Sequence, residues 1–133
     1  MKEKTRILII DDEQTNINIL LEILEFEEEY LVRSALSGEE GLALMAEFQP
    51  DIVLLDVMMP GMDGYEVCQR IRNSGEHCRA GIVMLSGRAM QAEIERGLAV
   101  GADRYLSKPF GMDELLAALD SLEIGKCREP GKL

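Results

Sequence analysis

Three stretches of this chain are apolar at every residue, and each stops on a polar or charged one. Ile7–Ile10 runs into Asp11 and Asp12, Ile52–Leu55 into Asp56, and Ile82–Leu85 into Ser86. Runs this short, with no polar alternation, read as strands buried on both faces. Two weaker strand-like segments, 31–36 and 103–106, complete a set of five. Segments with helical spacing follow each of them. Strands apolar on both sides and separated by helices argue for an α/β fold, a parallel sheet covered by helices on both faces. Right-handed crossovers then leave few topologies.

The helical segments carry their own punctuation. Thr15 or Asn16 is the expected cap of a first helix reaching about Glu27. Ser37, with Glu40 three residues later, has the pattern of a capping box. Pro50 ends that second helix. A loop with Pro60, Gly61 and Gly64 leads to a third over about Tyr65–Arg72, and a polar connection spans 73–81. A fourth helix is expected over Met90–Ala99, stopped by Gly101, and a fifth over Met112–Leu122.

At 133 residues the chain is expected to be one domain, over 5–123, with a polar tail or linker stub at 124–133. Its net charge of −11 would repel a phosphate backbone or an anionic membrane, so neither nucleic acid nor membrane is an expected partner. Apolar runs fall well short of the roughly 20 residues of a membrane span, and Met1–Lys4 has no signal-peptide pattern. The three cysteines, Cys68, Cys78 and Cys127, make neither a CxxC pair nor an even set. Neither a disulfide framework nor a zinc site is therefore expected, and a cytoplasmic setting follows as the default.

In a parallel sheet all strands end at one edge, where ligands bind. Asp11, Asp12, Asp56, Ser86 and Lys108 close four of the five strands and would meet there. Any one acid at a strand end is most simply a turn residue; five such residues at one edge are not. Three carboxylates brought together repel one another and raise their own pKa values. A hard divalent cation relieves that, and carboxylates with a backbone carbonyl and waters suit Mg²⁺.

The string Ile9-Ile10-Asp11-Asp12-Glu13 resembles the acidic signature of the receiver domains of bacterial response regulators. Asp51 through Gly64 is similar to that family's phosphorylation-site segment, and Ser86 matches its Ser/Thr position. Tyr105-Leu106-Ser107-Lys108-Pro109-Phe110 matches its Lys-Pro signature. The resemblance implies a flavodoxin-like (CheY-like) sheet of order 2-1-3-4-5 with five helices. It implies Asp56 as phosphoacceptor, with Lys108 and Ser86 assisting. Mg²⁺, with Mn²⁺ or Ca²⁺ as substitutes, would sit on Asp11, Asp12, Asp56 and the backbone carbonyl of Met58. Ser86 and Tyr105 would be the switch, Tyr105 turning inward. The implied partners are a sensor histidine kinase or histidine phosphotransfer protein and a downstream effector, with homodimerisation on phosphorylation left open. The family's cis peptide at Lys108–Pro109 is implied too, whereas sequence alone favours trans.

Two other classes fit the residues less well. A haloacid-dehalogenase-type phosphatase wants Asp-x-Asp after the first strand, and here the two acids adjoin. A nucleotide- or flavin-binding module wants a glycine in the first turn, and Asp11–Thr15 has none and two charges to repel a phosphate. The methionines of the loop are poor ligands for a hard cation, and the lone His77 sits in a polar loop. Gly61 and Gly64 read as turn residues. Gly87, where the family usually has alanine, and Ala80-Gly81, where it usually has proline, depart from the pattern. The first helix is apolar over roughly 220° of its circumference, so some of Ile17, Ile19, Leu21 and Phe26 should stay exposed as a docking face.

Overall fold

A computed structural model describes residues 4–88 and 90–127. The elements run β1 (Thr5–Ile10), α1 (Gln14–Glu25), β2 (Tyr30–Ala35), α2 (Gly38–Phe48), β3 (Ile52–Asp56), α3 (Gly64–Asn73), β4 (Gly81–Ser86), α4 (Gln91–Ala99), β5 (Arg104–Ser107) and α5 (Met112–Asp120). All strand pairs are parallel, in the order β2-β1-β3-β4-β5. This is the flavodoxin-like arrangement.

The period of two in a strand explains why the central runs are apolar throughout. Leu8, Ile10, Val53, Leu55, Ile82 and Met84 point to one face, against Leu44, Met45 and Phe48 of α2 and Val67, Cys68 and Ile71 of α3. Ile7, Ile9, Ile52, Leu54, Val83 and Leu85 point to the other, against Ile17, Leu20 and Leu24 of α1 and Leu115 and Leu119 of α5. The weaker strands are the two edges. β2 and β5 are only partly buried, which is why their sequences mix apolar and polar residues.

Helix starts follow the chemistry of the preceding turn. Ser37 Oγ accepts from the Glu40 N–H at 3.2 Å, as the capping pattern requires. The Glu40 carboxylate accepts from the Leu36 N–H instead of that of Ser37, so the box closes one residue early. The first helix begins before Thr15 and Asn16, which do not cap it. Asp11 Oδ1 accepts the Glu13 N–H at 2.9 Å, and this tight turn starts α1 at Gln14 with Glu13 at the cap. The Lys108–Pro109 peptide is cis, as the family resemblance implied.

The cysteine expectation is corrected. Cys78 and Cys127 form a disulfide, with Cα atoms 4.7 Å apart and a sequence separation of 49. Parity misleads here because the odd cysteine, Cys68, is a buried core residue of α3. The topology supplies the rest. α5 runs back antiparallel to β5, so the chain beyond it arrives at the sheet's amino-terminal edge, beside the α3–β4 connection that carries Cys78. The cysteine count therefore no longer argues for a reducing compartment. Of the tail expected over 124–133, residues 128–133 lie outside the described residues. No helix among the described residues is long and apolar enough to cross a membrane.

Candidate functional site at the carboxyl edge of the sheet

The chain turns from β1 outward to β2, then returns across to β3 on the other side of β1, so the crevice between the ends of β1 and β3 is the topological switch point. Asp11 follows directly on β1, and its N–H is taken by the Ala35 carbonyl of β2. Asp56 is the last residue of β3, paired in register with Leu85. Ser86 is one residue farther toward the same edge on β4. The Lys108 N–H donates to the Ser86 carbonyl at 2.7 Å, which fastens the β5–α5 turn onto β4.

Three of the expected acids do meet. Asp11, Asp12 and Asp56 each offer a carboxylate oxygen, and these lie within 4.8 Å of one another. Asp11 and Asp56 are buried, with 1% and 6% of their surface exposed. Lys108 Nζ reaches both, 3.3 Å from Asp56 Oδ1 and 3.5 Å from Asp11 Oδ2. One ammonium cannot neutralise three carboxylates. Burial first, and then the Asp11 charge, push the Asp56 carboxyl from 3.8 up to about 6, against the opposing pull of Lys108.

One atom points to what the cluster is built for. Asp11 Oδ2 is the single buried side-chain oxygen or nitrogen without a hydrogen-bond partner among the described residues. Its ion pair with the Lys108 ammonium, at 3.5 Å, is shared with Asp56. A buried carboxylate oxygen without a hydrogen bond costs free energy unless something further takes it up. A hard divalent cation fits the donor set, which is all oxygen and carries excess negative charge.

The other expected residues are placed around this cluster. Ser86 is fully buried, and its Oγ accepts the Arg88 N–H at 3.0 Å. Tyr105 is half-buried, and its hydroxyl donates to the Arg88 carbonyl at 2.6 Å. Met58 lies two residues beyond Asp56, with its side chain half-exposed. Gly61 takes φ +78°, in keeping with a turn residue. Gly64 has a different task. Its N–H donates to the Val57 carbonyl, and a Cβ there would lie 2.5 Å from the Asp56 carbonyl oxygen. It lets α3 start hard against the backbone of Asp56. Gly87 has open space around it, so nothing in the packing demands a glycine there. His77 lies far from the acids, lining a cavity with Arg6, Pro50 and Asp51 at the opposite edge.

On the α1 side a cavity of about 390 Å³ opens beside Asp11 and Lys108, lined by Asn16, Ile19, Ile23 and Phe110 among others. The expectation of exposed apolar residues on α1 holds for two of the four named. Ile19 is 50% exposed, and Phe26, just past the helix, is 81% exposed. Ile17 is buried and Leu21 packs half-buried against the core.

Two features were missed in the sequence. Arg72 sits on the buried face of α3, one position on from Ile71 and four from Cys68, so its charge stands where the helical period calls for an apolar residue. Tyr65, at the start of α3, has its hydroxyl on the Glu93 carbonyl of α4 at 3.1 Å. No local pattern announces that contact.

The response regulator receiver domain pattern matches residues 7–120. The chain is 44% identical over 117 residues to the response regulator MprA of Mycolicibacterium vanbaalenii, a match covering 88% of this chain and 49% of that protein. It thus spans about half the length of the curated relatives it matches. Among solved structures it superposes on the chemotaxis protein CheY4 of Vibrio cholerae with a TM-score of 0.84 at 29% identity, covering 90% of this chain and 99% of that one. A CheY-like receiver domain protein from Methanospirillum hungatei matches with a TM-score of 0.81 at 30% identity, covering 89% and 92%. A sheet of this order, an acid cluster at its switch point and these matches lead to one conclusion: the chain belongs to the response regulator receiver domains of two-component signalling systems.

Proposed function

We propose that the chain accepts a phosphoryl group on Asp56 from a phosphohistidine, in a Mg²⁺-dependent reaction, and answers by changing its binding surface through Ser86 and Tyr105. The observation that carries this is the buried Asp56 carboxylate, held beside Asp11 and Asp12 with the Lys108 ammonium at 3.3 Å. Asp56 is the nucleophile: a carboxylate oxygen forms the new P–O bond while the P–N bond to the donor imidazole breaks and the imidazole keeps the electron pair. Being ionised at neutral pH, Asp56 needs no base to remove a proton. Lys108 is placed to offset the negative charge of the incoming phosphoryl oxygens. Asp11, Asp12, Asp56 and the Met58 carbonyl would hold Mg²⁺, which when bound supplies further neutralisation of that charge. Ser86 Oγ would leave the Arg88 N–H for a phosphoryl oxygen, and the carbonyl of the same Arg88 already engages Tyr105.

The donor would be a sensor histidine kinase or a histidine phosphotransfer protein, and the readout an effector protein or domain. The exposed apolar side of α1, with Ile19 over the cavity next to the acids, suits a helical donor that must bring its histidine to Asp56. Incubation with acetyl phosphate and Mg²⁺ tests the acceptor. One phosphoryl group per chain, stable to acid and labile to base and absent in Asp56→Asn, is expected. Continuous turnover of acetyl phosphate would indicate a phosphatase instead, and labelling that survives Asp56→Asn would place the acceptor elsewhere.

A further inference from the structure

α4 is held unlike any other helix of this fold. Its one fully buried residue is Gly97. A Cβ at Gly97 would lie 2.8 Å from Met84 Sδ and 2.9 Å from the Tyr105 ring, so α4 rests on β4 and β5 by its bare backbone. A helix with so little apolar burial is retained by a few discrete contacts, and such elements open and move most easily.

Tyr65 supplies two of those contacts. Its hydroxyl donates to the Glu93 carbonyl in the first turn of α4 at 3.1 Å. The Arg96 guanidinium, one turn farther along α4, lies 4.1 Å from the centroid of the Tyr65 ring. Burial, and next the adjoining Tyr105 hydroxyl, push the Tyr65 phenol up to about 12, so it remains a donor across the physiological range. Tyr65 also follows directly on Gly64, whose backbone is pressed against the Asp56 carbonyl and bonded to Val57. The phosphoacceptor's own strand end is therefore joined to α4 along a path that bypasses Ser86.

We infer that Tyr65 is a positioning residue of the switch: its hydroxyl on Glu93 and its ring under Arg96 clasp α4 in the resting placement. The claim rests on the assignment of Asp56 as acceptor. α4 rests at Gly97 on the ring of Tyr105, the residue through which the proposed function has phosphorylation change the surface. Under that reading phosphorylation and α4 displacement are linked equilibria, and linkage is reciprocal. Whatever loosens the clasp must make Asp56 easier to load. Removing one neutral hydrogen bond is worth roughly a 2- to 10-fold change in such an equilibrium.

The test uses beryllofluoride with Mg²⁺ as the phosphoryl mimic. Apparent affinity is read by titration, and the backbone amide signals of residues 91–99 are followed by NMR. Tyr65→Phe keeps the ring and loses only the hydroxyl. It should bind the mimic roughly 2- to 10-fold more tightly, with unchanged affinity for Mg²⁺ alone. Its α4 amides, before any mimic is added, should lie part of the way along the line from the free to the loaded positions of the unmodified protein. A residue of merely structural importance would lower the melting temperature without moving either readout. Arg96→Gln acts from the exposed side of α4 and should move both readouts the same way by less. Unchanged or weaker mimic binding in these variants overturns the clasp; Arg96→Gln alone decides the matter if Tyr65→Phe proves too unstable to assay. Failure of the unmodified chain to bind the mimic would instead sink the Asp56 assignment, and the clasp with it.

Discussion

The two edges of the sheet each hold a cluster of buried charge, and they are built to opposite ends. At the amino-terminal edge, no buried side-chain nitrogen or oxygen among the described residues lacks a hydrogen-bond partner. Arg72, 2% exposed, donates Nε to the Gly101 carbonyl, Nη1 to the Ala80 carbonyl and Nη2 to Asp103 Oδ2, and the same Asp103 oxygen accepts the Ile82 N–H. The disulfide between Cys78 and Cys127 closes that end. At the carboxyl edge three carboxylates share one ammonium, one buried oxygen has no hydrogen-bond partner, and Asp56 is pushed up to about 6. Saturated charge locks structure in place. Uncompensated charge, held by a rigid sheet, is a donor set that could hold a cation.

The contrast predicts opposite responses to mutation. Arg72→Ala removes the ion-pair partner of Asp103 at 2.9 Å and three hydrogen bonds at once, and should cost about 3–5 kcal/mol in urea unfolding. Cys127→Ser should cost about 2–4 kcal/mol, a loss that reductant reproduces in the parent and not in the variant. The carboxyl edge should respond with the other sign. Asp56 has a folded value of about 6 against 3.8, so its ionisation favours the unfolded chain. Its penalty is absent below about pH 4, grows through the window up to about 6, and is complete above that. In metal-free buffer Asp56→Asn should therefore match the parent near pH 4 and exceed it by about 3 kcal/mol at pH 8. A gap that fails to widen with pH would break the comparison. The smallest effect belongs to α1. Ile19→Lys should leave acetyl phosphate labelling unchanged and slow transfer from a phosphohistidine donor by several-fold. Ile19 is the sharper probe because Leu21 packs against the core, where lysine would damage the fold.

What was legible in the sequence follows from the same physics. β1, β3 and β4 are buried on both faces, so their apolar runs stand out, and the acids that end them mark the site. β2 and β5 are half-solvated edges, and their boundaries show less clearly. The resemblance carried the strand order, which periodicity alone leaves open. The amino-terminal edge was illegible for a plain reason: Arg72 and Cys78, Asp103, and Cys127 come from three separate parts of the chain and meet only once β5 and α5 return. Tyr65 was hidden likewise, since its partner carbonyl lies 28 residues away on a helix with little apolar signature of its own.

The central claim of the proposed function is that the acid cluster at the carboxyl edge binds a divalent cation. Thermal unfolding against Mg²⁺ concentration tests it most directly. A ligand that binds only the folded chain stabilises it by mass action, about 2.7 kcal/mol when free metal is 100 times its dissociation constant. The melting temperature should climb with Mg²⁺ in the parent and lose most of that rise in Asp12→Ala, while an equal concentration of a monovalent salt at matched ionic strength leaves it nearly flat. A parent melting temperature indifferent to Mg²⁺, or a rise that persists undiminished in Asp12→Ala, would contradict the account.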